Sequence, residues 1–471
     1  MLDSLAQFLS ESSALLWGSI LFILLLGTHL YLSIILRFPQ RYLFKGIACY
    51  FSRAQSNHGG HISPFAALTV SLAANIGTGN IIGVATALAA GGPGAIFWCW
   101  MTGILGISTR YAESLISSRY RVMDEEGNIV GGPMYALERG LKMKWLGSIF
   151  AILTAIAAFG IGNITQGNAA AAVLQTSALQ IPTWVTGLVL VALVAGVLLG
   201  GLKSISKLCK ACVPTMALIY IAGCVLVLTS QAHAIIPAIE LIITSAFTPQ
   251  AATGGFIGST IILAMQTGVQ RGLFSNEAGM GSSPIIAAPA QTPNCVKQAL
   301  ISSTGPFWDT VVICTLTGIT LTTCIIAQPS IGNHDASVMT FHSFGTVGAW
   351  GSLLLTISLL TFVISTLLGW SYFGERALQY LGGVKLIKPY RILWVIATFV
   401  GCVIPKSSIV WDFADCANGL MAVPNVICMI AMSGLLIRHT RHYLWGNRLD
   451  EVDECPIPNK DEPDCPRAIE K

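Results

Sequence analysis

Two asparagines, a threonine and two glycines stand together at Asn75-Ile-Gly-Thr-Gly-Asn80, inside an otherwise apolar stretch from Phe65 to Ala90. Such a run interrupts a membrane helix at half depth, where non-helical backbone is tolerated only if it lines protein or a watery cavity. Free carbonyls near Ala73 and Ile76 suit a cation, and the amides of residues 78 to 80 suit an anion. The segment therefore predicts a binding site for a sodium ion and a zwitterion. The alternative is a glycine-rich packing seam between helices.

The composition limits the class of protein. Of 471 residues, 54% are hydrophobic and only 10% are charged, and the mean hydropathy is +0.69. A water-soluble fold could not bury that much apolar surface, so we expect an all-α polytopic membrane protein in contact with the lipid bilayer. The first apolar run, residues 14–36, lacks a basic leader and a cleavage site, which indicates a retained helix. The net charge of +4 points to no nucleic-acid partner, because topology explains the basic loops.

The thirteen cysteines are scattered, mostly within apolar runs and without paired metal-ligand spacing. This pattern is typical of small buried hydrophobic residues. Cys455 and Cys465, in the polar C-terminal tail, are the only two that could form a redox pair.

Apolar runs bounded by charge or by Gly and Pro predict about eleven membrane-spanning helices. They cover residues 14–36, 64–90, 94–118, 146–176, 182–201, 212–230, 255–284, 299–326, 347–373, 390–405 and 409–437. Alternate loops carry the basic residues, namely Arg37, Arg41, Lys45 and Arg53; Arg119, Arg121, Arg139, Lys142 and Lys144; Lys203, Lys207 and Lys210; Lys297; and Arg376, Lys385, Lys388 and Arg391. The intervening loops hold only Lys406. This asymmetry predicts an outside N-terminus and a cytoplasmic C-terminus in the cell (inner or plasma) membrane.

Without the first helix, ten spans divide into two sets of five with opposite membrane orientation, the arrangement of an inverted repeat. We therefore predict an extra N-terminal helix and loop (residues 1–62), a first repeat (63–254), a second repeat (255–437) and a tail (438–471), with an amphipathic external helix at 237–247. The second repeat should also open with a broken helix. Gln266 to Gly272 is the predicted break, and Leu273 to Gly281 the inner half-helix.

Four motifs in order resemble the alanine or glycine:cation symporters, also called the sodium:alanine symporter family. They are Gly77-Thr-Gly-Asn-Ile-Ile-Gly-Val-Ala-Thr-Ala-Leu-Ala-Ala-Gly-Gly-Pro-Gly-Ala95 with Phe97-Trp-Cys-Trp100, Gly131-Gly-Pro-Met-Tyr135, Arg271-Gly-Leu-Phe-Ser-Asn-Glu-Ala-Gly-Met-Gly281 and Leu368-Gly-Trp-Ser-Tyr-Phe-Gly-Glu375. The resemblance implies a leucine-transporter-like 5+5 inverted repeat. Cys99 and the stretch Asn163-Ile-Thr-Gln-Gly-Asn168 depart from the family pattern, and the second departure bears on the substrate.

The resemblance also implies roles for single residues. Those expected to bind substrate are Thr78, Gly79 and Asn80 (carboxylate), Asn75, Gln166 and the carbonyls near Thr267 and Gly268 (ammonium), and Trp370 (side chain). Those expected to bind sodium are Ala73, Ile76, Phe362, Ser365 and Thr366.

Each of these roles has a structural alternative. Gln166 could make an interhelical hydrogen bond, Trp370 could anchor at the lipid interface, and Ser365 with Thr366 could bond back to the preceding turn. Glu277 and Arg271 are interpreted as a cytoplasmic gate or a structural pair.

The function that the resemblance implies is secondary active transport, a sodium-coupled symport of small neutral amino acids by alternating access. Proton coupling and glutamine as the main substrate are the alternatives, and the oligomeric state stays open. No enzyme is expected, because neither His-Glu-x-x-His nor Gly-x-Ser-x-Gly is present. No cofactor is expected beyond sodium as the coupling ion. Nothing suggests the ring of carbonyls or charges that a channel needs.

Overall fold

The computed structural model describes residues 2–51, 60–176, 180–249, 255–256, 258–453, 455–465 and 467–470. Four positions named in the sequence predictions lie outside these ranges: Arg53, in a basic loop, residue 254, where the first repeat was expected to end, and residues 1 and 471, the outer bounds of the first and last segments. Within the described residues the protein is helical almost throughout. A single β-hairpin pairs Val122 with Val130 and Met123 with Ile129 in antiparallel register.

Among the described residues, the first half of the chain contains twelve α-helices and the two strands of the hairpin. They are α1 Leu2–Leu15, α2 Leu21–Ile35, α3 Leu43–Ala48, α4 Pro64–Asn75, α5 Val84–Gly91, α6 Gly94–Arg119, β1 Val122–Met123, β2 Ile129–Val130, α7 Pro133–Arg139, α8 Lys144–Phe159, α9 Thr165–Thr176, α10 Thr183–Leu198, α11 Gly201–Ser230 and α12 Ile235–Ser245. The predicted helix at 237–247 is therefore present as α12. Lys203, Lys207 and Lys210 were predicted to be in a loop, but they lie within α11.

The second half, over the residues that the structure describes, contains nine α-helices. They are α13 Ile261–Asn276, α14 Pro284–Ala287, α15 Cys295–Ser302, α16 Thr315–Ala327, α17 Ala336–Gly345, α18 Ala349–Gly382, α19 Ile387–Val403, α20 Ser407–Ala431 and α21 Ser433–His439. Short π-helical turns join neighbouring helices at Leu16–Ile20, Gly160–Ile164 and Phe307–Cys314, begin the half-helix of α5 at Gly79–Gly83, and extend α21 at Thr440–Trp445. Single 3₁₀ turns lie at Pro39–Tyr42, Cys49–Phe51, Ala232–Ala234, Pro329–Asn333, Val384–Leu386 and Ala468–Glu470.

Seven helices in the described residues are long and apolar enough to cross a membrane, or eight if one bent pair counts as a span. Three of the eleven predicted spans have helices that do not meet that criterion: α6, α10 and α13. The helices α10 and α13 have 16 residues each, and α6 carries Arg110 and Glu113 in its buried half. The membrane class is confirmed, while the count of eleven and the inverted repeat stay predictions.

The first predicted break is confirmed. Helix α4 starts at the Ser63 cap, whose hydroxyl accepts the Ala66 amide, and it ends at Asn75. Ile76 then adopts an extended conformation (φ −74°, ψ 94°). The two half-helices, Pro64–Asn75 and Gly79–Gly91, meet at an angle of 53°. Polar residues inside an apolar run therefore mark the interruption correctly.

The second predicted break, Gln266 to Gly272, is wrong. Helix α13 runs through it without interruption and ends only at Glu277, which takes a left-handed conformation (φ 55°). The glycines serve close packing instead: a Cβ on Gly268 would lie 2.2 Å from the Ala95 carbonyl oxygen. The chain leaves helical geometry at Glu277–Ser283, before α14. Glycine in a membrane helix can mark either a break or a helix crossing, and here it marks a crossing.

A glycine-to-alanine pair tests this crossing. Gly268→Ala should lower the thermal unfolding midpoint of the purified protein in detergent, because the added methyl group meets the Ala95 carbonyl and such overpacking costs about 1–3 kcal/mol. Gly196→Ala is the matched control, because a Cβ there meets nothing within 4 Å. A Gly268→Ala protein as stable as the wild type would contradict the close contact between α13 and α6.

Candidate functional site

The first amides after the break are held by side chains. The Gly77 amide donates to Asn80 Oδ1 at 2.8 Å, and the Thr78 amide donates to Gln166 Oε1 at 3.2 Å. The Thr78 hydroxyl is buried and has no hydrogen-bond partner among the described residues. These groups offer donors to an anion at the start of a helical segment. A carboxylate that reached the Thr78 amide would replace the oxygen of Gln166.

Gln166 makes the interhelical hydrogen bond that was its alternative role. Its amide nitrogen donates to the Ile161 carbonyl at 2.9 Å, so both ends of the side chain are engaged. The Gln166 side chain therefore accepts the hydrogen bond of the Thr78 amide, where the substrate carboxylate was predicted to bind. Its expected contact with the substrate ammonium requires a rearrangement.

Asn75 joins the two interruptions of the chain. Its Nδ2 donates to the Asn276 carbonyl at 2.6 Å, and its Oδ1 accepts from the Ser283 hydroxyl at 2.9 Å. Asn80, in contrast, is committed to a structural contact, because its Nδ2 donates to Asp309 Oδ1 at 2.7 Å. The Asn80 side chain is thus occupied on both ends, and its backbone amide donates to the Gly77 carbonyl at 3.2 Å.

Three of the five oxygens expected to bind sodium lie together. Thr366 Oγ1 is 3.1 Å from the Ala73 carbonyl oxygen and 3.2 Å from the Ile76 carbonyl oxygen. Around a hard cation bound at about 2.4 Å, neighbouring octahedral oxygens lie about 3.4 Å apart, so this spacing fits a cation site. The Ser365 hydroxyl bonds instead to the Phe362 carbonyl in its own helix, at 2.9 Å.

Trp370 faces the interior of the bundle and not lipid, so the interface-anchor alternative is wrong. Its side chain is fully buried, and a Cβ on Gly162 would lie 2.1 Å from the Trp370 Cβ. The indole nitrogen donates to Glu277 Oε1 at 2.8 Å. The ring is therefore held between the glycine of one helix and the second interruption, one turn beyond Thr366 in α18.

The predicted pairing of Glu277 with Arg271 is wrong. The other Glu277 oxygen accepts from Ser282 at 2.5 Å and from Ser283 at 3.2 Å. Arg271 lies two helical turns earlier and forms a buried ion pair with Asp415, at 2.6 Å. The left-handed conformation of Glu277 ends α13 and turns its side chain toward α18, away from Arg271.

The second interruption is held by groups whose partners could not be assigned from the sequence. Glu113 Oε1 accepts from the Gly281 amide at 3.0 Å and from Asn425 Nδ2 at 2.6 Å. Asn425 also donates to the Gly279 carbonyl at 2.8 Å. Glu113 has a sequence signal, as a carboxylate inside an apolar helix. Asn425 has none that separates it from other polar residues.

Thr267 and Gly268 lie away from this site, inside α13, where their carbonyls belong to a regular helix. The Thr267 hydroxyl bonds to the Leu263 carbonyl at 2.7 Å. Gly79 does belong to the site, because a Cβ there would lie 3.1 Å from the Phe274 ring of α13. The carbonyl acceptors predicted at 267 and 268 are therefore replaced by groups at the end of α13, beginning with Asn276.

Comparison with known proteins gives consistent results. The family described as the sodium:alanine symporter family matches residues 2–455. The chain is 44% identical to the sodium/alanine symporter AgcS of Methanococcus maripaludis, over 92% of this chain and 95% of that protein. It is 36% identical to the probable sodium/glutamine symporter GlnT of Bacillus subtilis, over 98% and 95%. A manganese transporter of Eremococcus coleocola has a similar fold, with a TM-score of 0.50, 14% identity and 82% of each chain covered.

The Arg271–Asp415 pair can be tested by removing one charge or both. Asp415→Asn should destabilise the protein by about 3–5 kcal/mol, because it leaves the Arg271 charge buried without a counter-ion. The double variant Arg271→Gln with Asp415→Asn should recover much of that loss. Asp412→Asn, on the same helix face and in no described ion pair, is the control. Thermal unfolding in detergent measures all three, and equal stability of Asp415→Asn and Asp412→Asn would contradict the pairing.

Proposed function

Because the chain belongs to the sodium:alanine symporter family and is a transporter of amino acids, we propose that it carries small neutral amino acids of the alanine and glycine class into the cell together with sodium. The proposed mechanism is alternating access in an 11-helix fold with an inverted 5+5 repeat. The proposed location is the cell (inner or plasma) membrane, with the N-terminus outside and the C-terminus in the cytoplasm.

The observation that carries this proposal is the pairing of opposite groups across one break. The carbonyls of Ala73 and Ile76, with the Thr366 hydroxyl, offer oxygens to a cation. The Thr78 amide and hydroxyl, two residues beyond Ile76, offer donors to a carboxylate. A zwitterion and a sodium ion bound here would be neighbours, and each would stabilise the binding of the other through opposite charge.

The ammonium group of the substrate has acceptors at the second interruption. The Asn276 carbonyl and the Asn75 amide oxygen both lie there, and both already take part in hydrogen bonds. The Glu277 carboxylate is close by, bonded to Trp370. Neutral oxygens can accept all the hydrogen bonds of an ammonium group, so no buried charge is needed there. We propose that the Glu277 carboxylate mainly holds the Trp370 ring in place.

Alternating access is supported by burial. Asn75, Thr78, Gln166, Thr366 and Trp370 are all buried. A substrate can reach them only if helices move apart on one side. Because Asn75 bonds across both interruptions, a ligand that competes for its contacts would alter the packing of the two segments together. The ligand would therefore make different contacts in the two conformations, which a ligand-driven conformational change requires.

Two alternatives have specific support. Proton coupling would use one of the buried carboxylates Glu113, Glu277 or Asp309. A carboxylate can take up and release a proton, whereas a sodium site made of neutral oxygens cannot. Glutamine as the main substrate is supported by the 36% identity to the probable sodium/glutamine symporter. Bulk at Trp370 argues against the longer side chain, since the indole nitrogen is hydrogen-bonded to Glu277 and Gly162 packs closely against the same side chain.

Proteoliposomes test the coupling ion. One sodium ion entering down a tenfold gradient and about 100 mV releases roughly 1.4 plus 2.3 kcal/mol, enough for about 500-fold accumulation of a neutral zwitterion. We expect alanine or glycine uptake to require sodium and to carry inward positive current. Uptake that persists when choline replaces sodium, and that a protonophore abolishes, would indicate proton coupling.

Thr366 and Ser365 form a matched pair for the cation site. Thr366→Ala should raise the sodium concentration for half-maximal uptake about tenfold or more, because it removes an oxygen worth about 1.5–3 kcal/mol to a charged ligand. Ser365→Ala should have a smaller effect, since that hydroxyl bonds within its own helix. Expression should stay near normal in both. An unchanged sodium dependence in both variants would refute the assignment.

Substrate size should depend on Trp370. Trp370→Leu should admit leucine or methionine and weaken alanine binding, a ten- to hundredfold change in relative uptake, because relief of overpacking is worth about 1–3 kcal/mol. Gly79→Ala should instead abolish uptake of all substrates alike, since its methyl group intrudes between the break and Phe274. Competition assays with a panel of amino acids measure both. An unchanged rank order in Trp370→Leu would show that the ring does not face the substrate.

A further inference from the structure

A cavity of about 560 Å³ lies between the C-terminal tail and the ends of α6 and α15. Three cysteines line it: Cys295 at the start of α15, and Cys455 and Cys465 in the tail. The two tail cysteines, which the sequence indicated as a possible redox pair, are joined by a disulfide bond. A free thiol and a disulfide therefore share one cavity.

Cys295 is the free thiol, and it belongs to a chain of three polar side chains. Its sulfur lies 3.4 Å from His439 Nδ1, and His439 Nε2 lies 2.9 Å from Glu470 Oε1. The carboxylate fixes the ring and its tautomer, which leaves Nδ1 directed at the sulfur. A cysteine, a histidine and an orienting carboxylate in this order form the arrangement that activates a thiol as a nucleophile.

The charges around His439 favour a protonated ring. Burial alone would lower the pKa of His439, but the neighbouring Cys295 and Glu470 raise it to about 9. Burial would likewise raise the pKa of Glu470, whereas hydrogen bonds from Arg119 and His439 lower it to about 2. An imidazolium therefore lies beside the Cys295 sulfur at neutral pH. Such a cationic neighbour, like the helix N-terminus at Cys295, is typical of reactive cysteines.

Arg119 links this triad to the disulfide. Its guanidinium forms an ion pair with Glu470, and its NH2 also lies 3.5 Å from the Cys465 carbonyl oxygen. The tail on either side is fastened to the body of the protein, where Lys460 donates its amide to the Met123 carbonyl at 3.0 Å and Arg139 pairs with Asp464 at 2.8 Å. The disulfide closes the loop that carries these contacts. These contacts hold the disulfide loop against the cavity that Cys295 also lines.

From this geometry we propose that Cys295 is a nucleophilic thiol that undergoes exchange with the Cys455–Cys465 disulfide. The Cys295 thiol and His439 share one proton, which lies on His439 Nδ1 in the imidazolium form, and from that form the Cys295 sulfur attacks one tail sulfur. A bond forms between these two sulfurs, the bond between the tail sulfurs breaks, and the electron pair leaves on the other tail sulfur, which takes the proton from His439. The exchange needs no oxidant, since one disulfide is formed for each one broken.

The exchange changes the covalent attachment of the C-terminal tail. In the starting form the disulfide lies within the tail, and in the product it ties the tail to α15. On the proposed cytoplasmic orientation such a disulfide would be reversible, because cytosolic disulfides are mostly redox-sensing or catalytic. Cellular low-molecular-weight thiols would reduce it and leave Cys295 and the two tail cysteines as thiols.

Mass spectrometry of the full-length protein tests the exchange. The purified protein is incubated in a mixture of reduced and oxidised glutathione at pH 7, alkylated with N-ethylmaleimide and digested without reductant. We expect a peptide in which Cys295 is disulfide-bonded to a tail cysteine. In Cys455→Ser this Cys295–Cys465 species should become the main disulfide. Its absence from both proteins would overturn the proposal.

Two variants test the role of the triad. His439→Gln should slow formation of the Cys295 disulfide at least tenfold, while Cys49→Ser, which changes a half-buried cysteine near Lys297, should leave it unchanged. An equal rate in His439→Gln and wild type would refute activation by the histidine. If His439→Gln does not fold, iodoacetamide labelling of the Cys455→Ser, Cys465→Ser protein tests the activation of Cys295 instead. The proposal expects Cys295 to be labelled faster than Cys49, and equal or slower labelling would contradict it. No step measures transport, so the outcome is independent of the proposed symport.

Discussion

Backbone that leaves a helix inside a membrane protein must find its hydrogen bonds within the protein, because no water reaches it from the bilayer. The chain leaves helical geometry at Ile76–Thr78 and again at Glu277–Ser283. Asn75 connects the two, since it donates to Asn276 and accepts from Ser283. The polar groups of each interruption are therefore hydrogen-bonded partly to the other, and both interruptions contribute to the candidate site. Moving one segment necessarily disturbs the contacts of the second.

The buried carboxylates serve the same constraint. Glu113 accepts from a backbone amide and from Asn425, Glu277 accepts from Trp370 and two serines, and Asp309 accepts from Asn80, Ser275 and Thr310. Among the described residues, the ion pair of Glu113 with Arg110 is long, at 4.0 Å, compared with the 2.6 Å that joins Arg271 to Asp415. The carboxylates act as strong acceptors that hold the interruptions and the tryptophan in place. Burial of such a charge is tolerated because several donors surround it.

Glycine plays two different parts in this framework. At Gly77 and Gly79 it allows Thr366 and Phe274 to approach the interruption, since a Cβ would lie 2.5 Å from the Thr366 hydroxyl oxygen and 3.1 Å from the Phe274 ring. At Gly268 it allows α13 to cross α6 while the helix continues. The residue type is the same, and only the neighbouring helix distinguishes a ligand site from a packing contact.

The sequence alone determined the membrane class, the family, the first break and the grouping of Ala73, Ile76 and Thr366, because polar residues inside an apolar run and ordered family motifs are visible without a structure. Tertiary structure decided the rest. The second break moved from 266–272 to Glu277–Ser283, Glu277 paired with Trp370 and not Arg271, and Cys295 met His439, 144 residues away. The local sequence pattern indicates which backbone segments cannot form a lipid-facing helix. It does not report which distant side chain satisfies that backbone, because that depends on how the helices pack.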